Sequence, residues 1–508
     1  MRTIRPADFV YIVLLILLLA VPFILRPAKP PLEDAPPGSG KRLALVLVSP
    51  HNEAVQYEFE QAFRRWHVRN YGRDVEFDWR NIGGTSEITR YLDSSFQAAE
   101  RAGLDGIGID LFFGGGSYEH AQQAKKNQSV PCGLRERHPE WLKPDIIPQF
   151  FSGETFYDPG DRWYGCCLSS FGICYNQDAL DLHKIFAPPR RWQDLADFSF
   201  FKHVALADPT KSGSINKAFE MLIQQQIGDL LAERGQTASG ARTDDLAEGW
   251  RRGLNLIRII GANARYFTDS AGKVTVDVAQ GDAAAGMCID FYGRFESEAV
   301  ERNESSQRMK YVMPEGGTSI SVDPIAILRG APNRAVAERF IDFALSVEGQ
   351  LLWNTRVGQP CDALGKPGGP IRYSLRRLPV RRDLYRAEYL LSMADPFALP
   401  YVNAGQFAYQ AAWTGPLFNI IRSLIRAMCI DPHDELQKAW QAINQAGGPE
   451  KCPRAFAALL ALPPGAEYAQ MRSTAAGIAA NKLAEARLMR EWTVFFRGQY
   501  RKAAELAK

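Results

Sequence analysis

Two short stretches of this chain set glycines and hydroxyls directly ahead of helical sequence. They are Gly83-Gly84-Thr85-Ser86 and Asp208-Pro209-Thr210-Lys211-Ser212-Gly213-Ser214. The first turn of a helix leaves backbone N–H groups without intrahelical partners, and the helix dipole adds positive charge there. With the hydroxyls of Thr85, Ser86, Thr210, Ser212 and Ser214 added, such helix starts suit an oxyanion. The same residue types also cap helices that hold nothing, so one loop alone decides little. Two of them, each after an apolar run, point to one shared site.

Other polar groups fall at the ends of apolar runs. Ser49 and His51 follow Leu43 to Val48 (LALVLV); Asp110 lies in Gly106 to Gly116 (GIGIDLFFGGG); Asp290 and Tyr292 close Met287-Cys288-Ile289 within Val278 to Arg294. His51 is either a ligand contact or an idle surface histidine. Asp110 and Asp290 either meet a polar ligand or accept backbone N–H bonds at strand ends.

Covalent and metal chemistry find little material. Gly-x-Ser-x-Gly, His-Glu-x-x-His and a phosphate loop ending Gly-Lys-Ser/Thr are all absent, and seven histidines leave little for a triad or metal cluster. None of the eight cysteines shows Cys-x-x-Cys spacing, so neither a zinc site nor any cofactor is expected. A net charge of +3, with no long basic run, gives no reason to expect nucleic-acid binding. The expectation is a binding protein, not an enzyme.

The elements that must position these groups follow from hydrophobic period. LALVLV reads as a strand buried on both faces; Val55, Phe59, Phe63 and Trp66 then give the next helix one apolar stripe. Val75 to Trp79 and the helix of Ile88, Tyr91, Leu92 and Phe96 repeat the unit. The alternation predicts an α/β lobe with a mainly parallel sheet, ligands sitting outside the carboxyl ends of its strands. Tyr164 to Asn176 and Phe201 to Leu206 read as strands of a second lobe, with helices on Ile215 to Ile227 and Leu246 to Ile257. Ile325 to Leu328 reads as a strand and Asn333 to Trp353 as one helix. From about Pro400 the sequence is alanine-rich and helical, and Leu488, Trp492, Phe495 and Phe496 form a stripe for core packing. Cys429 and Cys452 either staple a helical hairpin or stay as buried thiols.

At 508 residues the chain exceeds one core, so two or three lobes are expected. Phe9 to Leu25 is almost wholly apolar between Arg2, Arg5 and Arg26. A bilayer span needs roughly 20 such residues, about 17 at least. The run ends without a small-x-small cleavage pattern, so an uncleaved signal anchor is favoured over a cleaved signal peptide. Arg2 and Arg5 would keep the N-terminus inside and place the rest at the periplasmic or extracellular face. Pro27 to Lys41 then reads as a tether.

Four stretches together resemble the type II periplasmic solute-binding proteins of ABC importers, in the group with ferric-ion and phosphonate binders. They are Ser49 to Ala54, Asp110 to Gly116, Ala207 to Gly213, and Met313 to Thr318 running on to Asp323-Pro324-Ile325-Ala326; Ser346 to Gln350 adds to them. The resemblance implies two α/β lobes joined by crossing hinge strands, a ligand captured between them, and delivery to a permease with its ATPase. The expected layout is a transmembrane anchor (1–26), a tether (27–41), lobe 1 (42–113), lobe 2 (114–287), a return to lobe 1 (288–400) and a helical C-terminal extension (401–508). Val278 to Arg294 would be the return crossing. Expected ligand contacts are Ser49, His51, Gly84, Thr85, Ser86, Asp110, Thr210, Ser212, Gly213, Ser214, Asp290 and Tyr292. The group's ferric-ion binders carry two adjacent tyrosines after the returning strand. Here only Tyr292 stands there, between Phe291 and Gly293, which favours a small anion such as a phosphonate, phosphate ester or carboxylate. The alternatives are a ferric-ion binder, a membrane-anchored sensor or assembly module on the same fold, and, least favoured, an envelope hydrolase.

Overall fold

The computed structural model describes residues 43–300, 308–359, 368–403, 407–478 and 481–508. The expected anchor and tether lie outside the described residues. Among those described, no helix is long and apolar enough to cross a membrane.

The chain opens with two strand–helix units, β1 (Leu43–Val48), α1 (Glu53–Tyr71), β2 (Val75–Arg80) and α2 (Thr85–Arg101). Then come β3 (Leu111–Phe113), α3 (Ser117–Lys125) and β4 (Ser129–Val130). Two adjoining strands, β5 (Tyr164–Ser169) and β6 (Phe171–Asn176), lead towards β7 (Val204–Ala207), α4 (Gly213–Glu233), α5 (Thr243–Asn263) and β8 (Ala264–Thr268). The chain continues through α6 (Ala271–Gln280), β9 (Ala285–Ile289), α7 (Asp290–Val300), β10 (Met309–Val312), β11 (Ser321–Leu328), α8 (Arg334–Leu345) and β12 (Leu378–Pro379). Helices close it, among them α9 (Phe418–Ile425), α10 (His433–Gln445), α11 (Pro453–Leu459), α12 (Tyr468–Ile478) and α13 (Lys482–Leu506).

The strands form two main sheets, one per lobe. Lobe 1 has the order β12-β5-β11-β3-β1-β2 with β4 beside β11; lobe 2 has β8-β7-β9-β6-β10. Both are mixed where a mainly parallel sheet was expected. The local units β1–β2 and β1–β3 pair parallel, as do β7–β8 and β7–β9. Strands that enter from the other lobe run against their neighbours, as β11 does beside β3 and β5, and β6 beside β9.

The sheets exchange the chain in two places. Tyr164 to Asn176, expected as one strand, is broken at Ser170: β5 belongs to lobe 1 and β6 to lobe 2. The return runs between β10 and β11, through residues 313–320. The sequence reading had put these exchanges after Phe113 and after Met287. Small residues account for the second difference. A Cβ on Gly286 would lie 2.5 Å from Val274 Cγ1, so β9 is pressed under α6 as an interior strand. Asp290 and Tyr292 therefore open a helix, α7. The single helix expected over Asn333 to Trp353 is also interrupted, at Ser346, whose hydroxyl caps the next turn by accepting from Gly349 N at 3.1 Å.

Lobe 1 is closed by α1 and α8. Phe59 meets Phe113 and Trp353 with ring centroids 5.3 and 4.4 Å apart, all three fully buried. Each such side chain contributes roughly 1.5–3 kcal/mol by leaving water. Lobe 2 is larger than its sheet suggests, because the C-terminal helices share its core. Trp492, Phe496 and Tyr500 of α13 are buried in one apolar cluster with Trp250 and Ile257 of α5, so the stripe read as core packing is core. Trp250 Nε1 donates to Ala466 O at 3.0 Å, and the buried Asn216 Nδ2 to Phe418 O at 2.8 Å. Cys429 and Cys452 are both free thiols, so no disulfide staples this region.

Candidate functional site

Between the lobes lies a cleft with a small inner pocket of about 100 Å³ and an outer space of about 460 Å³. Pro50, His51, Thr85, Gly213, Ser214 and Tyr292 border both, so the two are continuous. Residues at five helix N-termini line it. Asn52 precedes α1, Gly84 α2 and Gly116 α3 in lobe 1; Ser212 precedes α4 and Ser270 α6 in lobe 2. Each brings partial positive charge and unpaired N–H groups to the same space. The lobes touch here. A Cβ on Gly84 would sit 2.9 Å from the backbone Lys211 O, so that position needs the bare backbone, and one on Gly213 would press on Glu119 Oε1 at 3.1 Å.

Two buried ionic clusters border the cleft. In the first, Arg377 Nη2 lies 2.6 Å from Asp323 Oδ2 and donates to Ser169 Oγ at 2.9 Å, while Nη1 donates to His51 Nε2 at 3.0 Å. Ser169 Oγ donates to Asp323 Oδ1 at 2.5 Å. Burial pushes the Asp323 carboxyl up, but the charge of Arg377, with His51 and Ser169, outweighs it and holds it at about 2. Burial pulls the His51 imidazole below its ordinary range. The donation from Arg377 places its proton on Nδ1, which is buried without a partner among the described residues. Gly114, at φ +93°, makes room for this ring: a Cβ there would lie 2.6 Å from His51 Cε1.

The second cluster centres on Lys217, one turn into α4. Its Nζ lies 3.1 Å from Glu154 and 3.0 Å from Glu220, and 3.5 Å above the Tyr409 ring. One cation thus faces two carboxylates. Burial pushes the Glu154 carboxyl up, with Lys217 opposing. Glu119 is buried at the cleft wall, its carboxyl raised by burial and its Oε1 without a hydrogen-bond donor.

Residues 104–364 match the family model of bacterial extracellular solute-binding proteins. The chain belongs to that family. It is a solute-binding protein, and the extracellular character of the family puts its work outside the cytoplasm. An uncharacterised protein of Haemophilus influenzae is 25% identical over 270 residues, 53% of this chain and 67% of that one. The phosphoglycerate transport regulatory protein PgtC of Salmonella typhimurium is 22% identical over 294 residues, 54% of this chain and 64% of that one. In fold, the solute-binding protein is similar to the substrate-binding protein of an ABC transporter from Agrobacterium tumefaciens. That likeness has a TM-score of 0.51 at 14% identity and covers 77% of this chain and 97% of the other.

Of the expected contacts, Ser49, His51, Gly84, Thr85, Ser212, Gly213, Ser214 and Tyr292 line the cleft of this solute-binding protein. Four do not. Asp110 is buried and ties strands together: its carboxylate accepts from Val46 N at 2.8 Å, Asn333 N at 2.6 Å and Asn333 Nδ2 at 3.0 Å. Asp290 is buried at the start of α7, accepting from Phe291 N and donating its own N–H to Ser170 O, both at 2.9 Å. Thr210 donates to Asp208 at 2.7 Å beside Arg426, and Ser86 accepts from Arg422 at 2.9 Å; both face the C-terminal helices. The cleft also holds Lys217, Glu119, Ser117, Asp323 and Phe418, which the sequence reading missed. Ser117 directly follows the glycine run, and Lys217 lies five residues beyond Ser212, so helical spacing could have found both. Nothing local marks Asp323 or Phe418. The Tyr292 ring lies tilted against Phe291 with centroids 4.0 Å apart, its phenol pushed up by burial. Among the described residues, no three His, Cys, Asp or Glu side chains gather as a metal site.

Proposed function

We infer that this protein is the solute-binding component of an ABC importer, taking a small anionic ligand, a phosphonate, phosphate ester or carboxylate, into the cleft between its lobes. The observation that carries this reading is the convergence of five helix starts on one cleft, with Lys217 on its wall. The anion would take N–H and hydroxyl bonds from Thr85, Ser117, Gly213 and Ser214, with Ser49, His51 and Tyr292 shaping the outer space. Helix starts complement an oxyanion through dipole and N–H donors together. Tyr118 and Tyr292, both with phenols pushed up by burial and so neutral, suit a trivalent cation poorly. The Salmonella relative, named for phosphoglycerate transport, fits the same ligand class. Phe9 to Leu25 would tether the binding unit to the cytoplasmic membrane, and a permease with its ATPase would receive the ligand.

A ligand that binds only the folded form adds RT ln(1 + [L]/Kd) to stability. A thermal-shift screen over phosphonates, sugar phosphates, carboxylates and ferric salts is therefore the test. The expected result is a rise in Tm with one anion class, reduced in Lys217→Gln. A rise with ferric salts alone, lost in Tyr292→Phe, would overturn the anion reading. A second reading, a membrane-anchored sensor, is favoured by the word regulatory in the relative's name and by the helical extension. Uptake assays in cells lacking the gene separate the two. Lost import supports the first reading; intact import with an altered transcriptional response supports the second.

A further inference from the structure

Beyond the ligand cleft lies a second chamber of about 810 Å³, walled by α2 and α3 of lobe 1 and by α9, α12 and α13 of the C-terminal helices. Six basic side chains line it: Arg90, Lys126, Arg422, Arg426, Arg472 and Lys482. The acidic side chains on its lining are Asp93, Glu119 and Glu485. Several of the cations are engaged. Lys126 lies 2.8 Å from Asp93, Arg426 3.0 Å from Asp208, Lys482 3.7 Å from Glu485 and Arg90 4.0 Å from Glu87.

Arg422 and Arg472 differ. Among the described residues neither forms an ion pair; Arg472 donates to Ala412 O at 2.7 Å and Arg422 to Ser86 Oγ at 2.9 Å. The Arg422 guanidinium lies 5.3 Å over the Phe418 ring, and its Nε is buried without an acceptor. Burial works against its charge, with Glu119 opposing only in part. Arg422 is half-buried, and a guanidinium cannot shed its proton at accessible pH, so its desolvated charge stays only partly compensated until an anion arrives. Ser86, which it touches, is the second residue of α2, so the positive end of that helix faces the same space. The chamber thus gathers six basic side chains around a guanidinium whose charge is only partly compensated.

We propose that this chamber is a second anion site, holding a phosphate or carboxylate group on Arg422, with Arg472 and Arg90 supplying further charge. It adjoins the cleft across Tyr118 and Glu119, which border both spaces, and it does not rest on the cleft reading. Its walls belong to lobe 1 and to helices whose core is that of lobe 2, so an anion in it links the two bodies. Most of its cationic side, including Arg422, comes from sequence outside residues 104–364, beyond the part that matches the family.

Isothermal titration calorimetry of the whole chain at low ionic strength tests it, with inorganic phosphate and citrate as probes. The expected result is an exothermic event with at least one probe, weakened tenfold or more in Arg422→Gln and partly kept in Arg422→Lys, which retains charge without the planar fork. The cleft variant Ser214→Ala leaves this event unchanged, so the two sites fail separately. Circular dichroism checks each variant's fold; if Arg422→Gln does not fold, Arg472→Gln, at a chamber wall, decides by the same criterion. Phosphate and citrate together report which oxyanion group is preferred. The proposal is overturned if wild type binds neither probe, or if the arginine variants bind them as wild type does.

Discussion

The two ionic clusters beside the cleft are built on opposite balances. In one, a single guanidinium meets a single carboxylate, a serine hydroxyl and a neutral imidazole, and every strong charge has its partner. In the other, one ammonium faces two carboxylates, and burial pushes the Glu154 carboxyl up. The first is a brace: it joins β5, β11 and the strand-edge residue Arg377, and its two opposite charges are paired without a ligand. The second is shared between α4 of lobe 2 and Glu154, and it keeps a charge imbalance that acid or a ligand can change. A binding protein needs both, a fixed wall to shape the site and a wall whose electrostatics answer to what enters.

Arg377→Met should have the largest effect. It leaves Asp323 buried without its cation, and breaking a buried pair from one side costs about 3–5 kcal/mol. Urea unfolding at pH 7 measures it. Lys217→Met also strands buried carboxylates, Glu154 and Glu220, so the two clusters are told apart by their response to acid and not by their cost at pH 7.

How much of this was legible depends on the distance along the chain. The lobe 2 helix start lies within Asp208 to Ser214, ten residues from Ala207 to Asn216 at most, and local spacing was enough to find it. The same holds for Gly84 and Thr85. The brace is different. Ser169, Asp323 and Arg377 meet only because β5, β11 and β12 pair side by side, and no local pattern encodes that pairing. Asp110 shows the converse error. A carboxylate at a strand end looked like a ligand contact, yet Val46 and Asn333, 64 and 223 residues away, satisfy it internally. The crossing was misplaced for a related reason. Met287-Cys288-Ile289 has the apolar signature of any buried strand, and that signature cannot say which sheet the strand joins.

Acid should separate the clusters by sign. Asp323, held at about 2 in the folded chain against about 3.9 unfolded, stabilises the fold fully above the unfolded value, and this is lost as pH falls through 4 towards 2. The loss is roughly 2–3 kcal/mol. His51, lowered by burial, acts in the same direction from its unfolded value downward. Glu154 and Glu119 are raised, so their contribution is present below the unfolded carboxyl range and is lost as pH rises through their folded values. Urea midpoints at pH 7, 5 and 3 should therefore fall less steeply in the double variant Arg377→Met, Asp323→Asn than in wild type. Lys217→Met should recover part of its deficit between pH 7 and 5 as Glu154, already raised by burial, takes up a proton. Equal pH slopes in all three proteins would remove the contrast.

The smallest effects sharpen the comparison at the lobe 2 helix start itself, where two neighbouring hydroxyls have different duties. Ser212 Oγ accepts from Ile215 N at 3.3 Å as the N-cap of α4, so its hydroxyl already serves the fold. Among the described residues Ser214 Oγ hydrogen-bonds only Ser212 Oγ, at 3.0 Å, and it borders both spaces of the cleft. Ser212→Ala should cost about 1 kcal/mol of stability, the ordinary worth of a cap. Ser214→Ala should stay within about 0.5 kcal/mol of wild type in the absence of ligand. Binding should invert the order. A hydrogen bond to a charged group contributes roughly 1.5–3 kcal/mol, so Ser214→Ala should weaken the anion found in the thermal-shift screen by about tenfold or more. Ser212→Ala should weaken it far less, because its hydroxyl is turned to the backbone. Paired urea unfolding and calorimetric titration of the two variants read both quantities. If the larger stability loss and the larger affinity loss fall on the same serine, the helix start is a cap and nothing more.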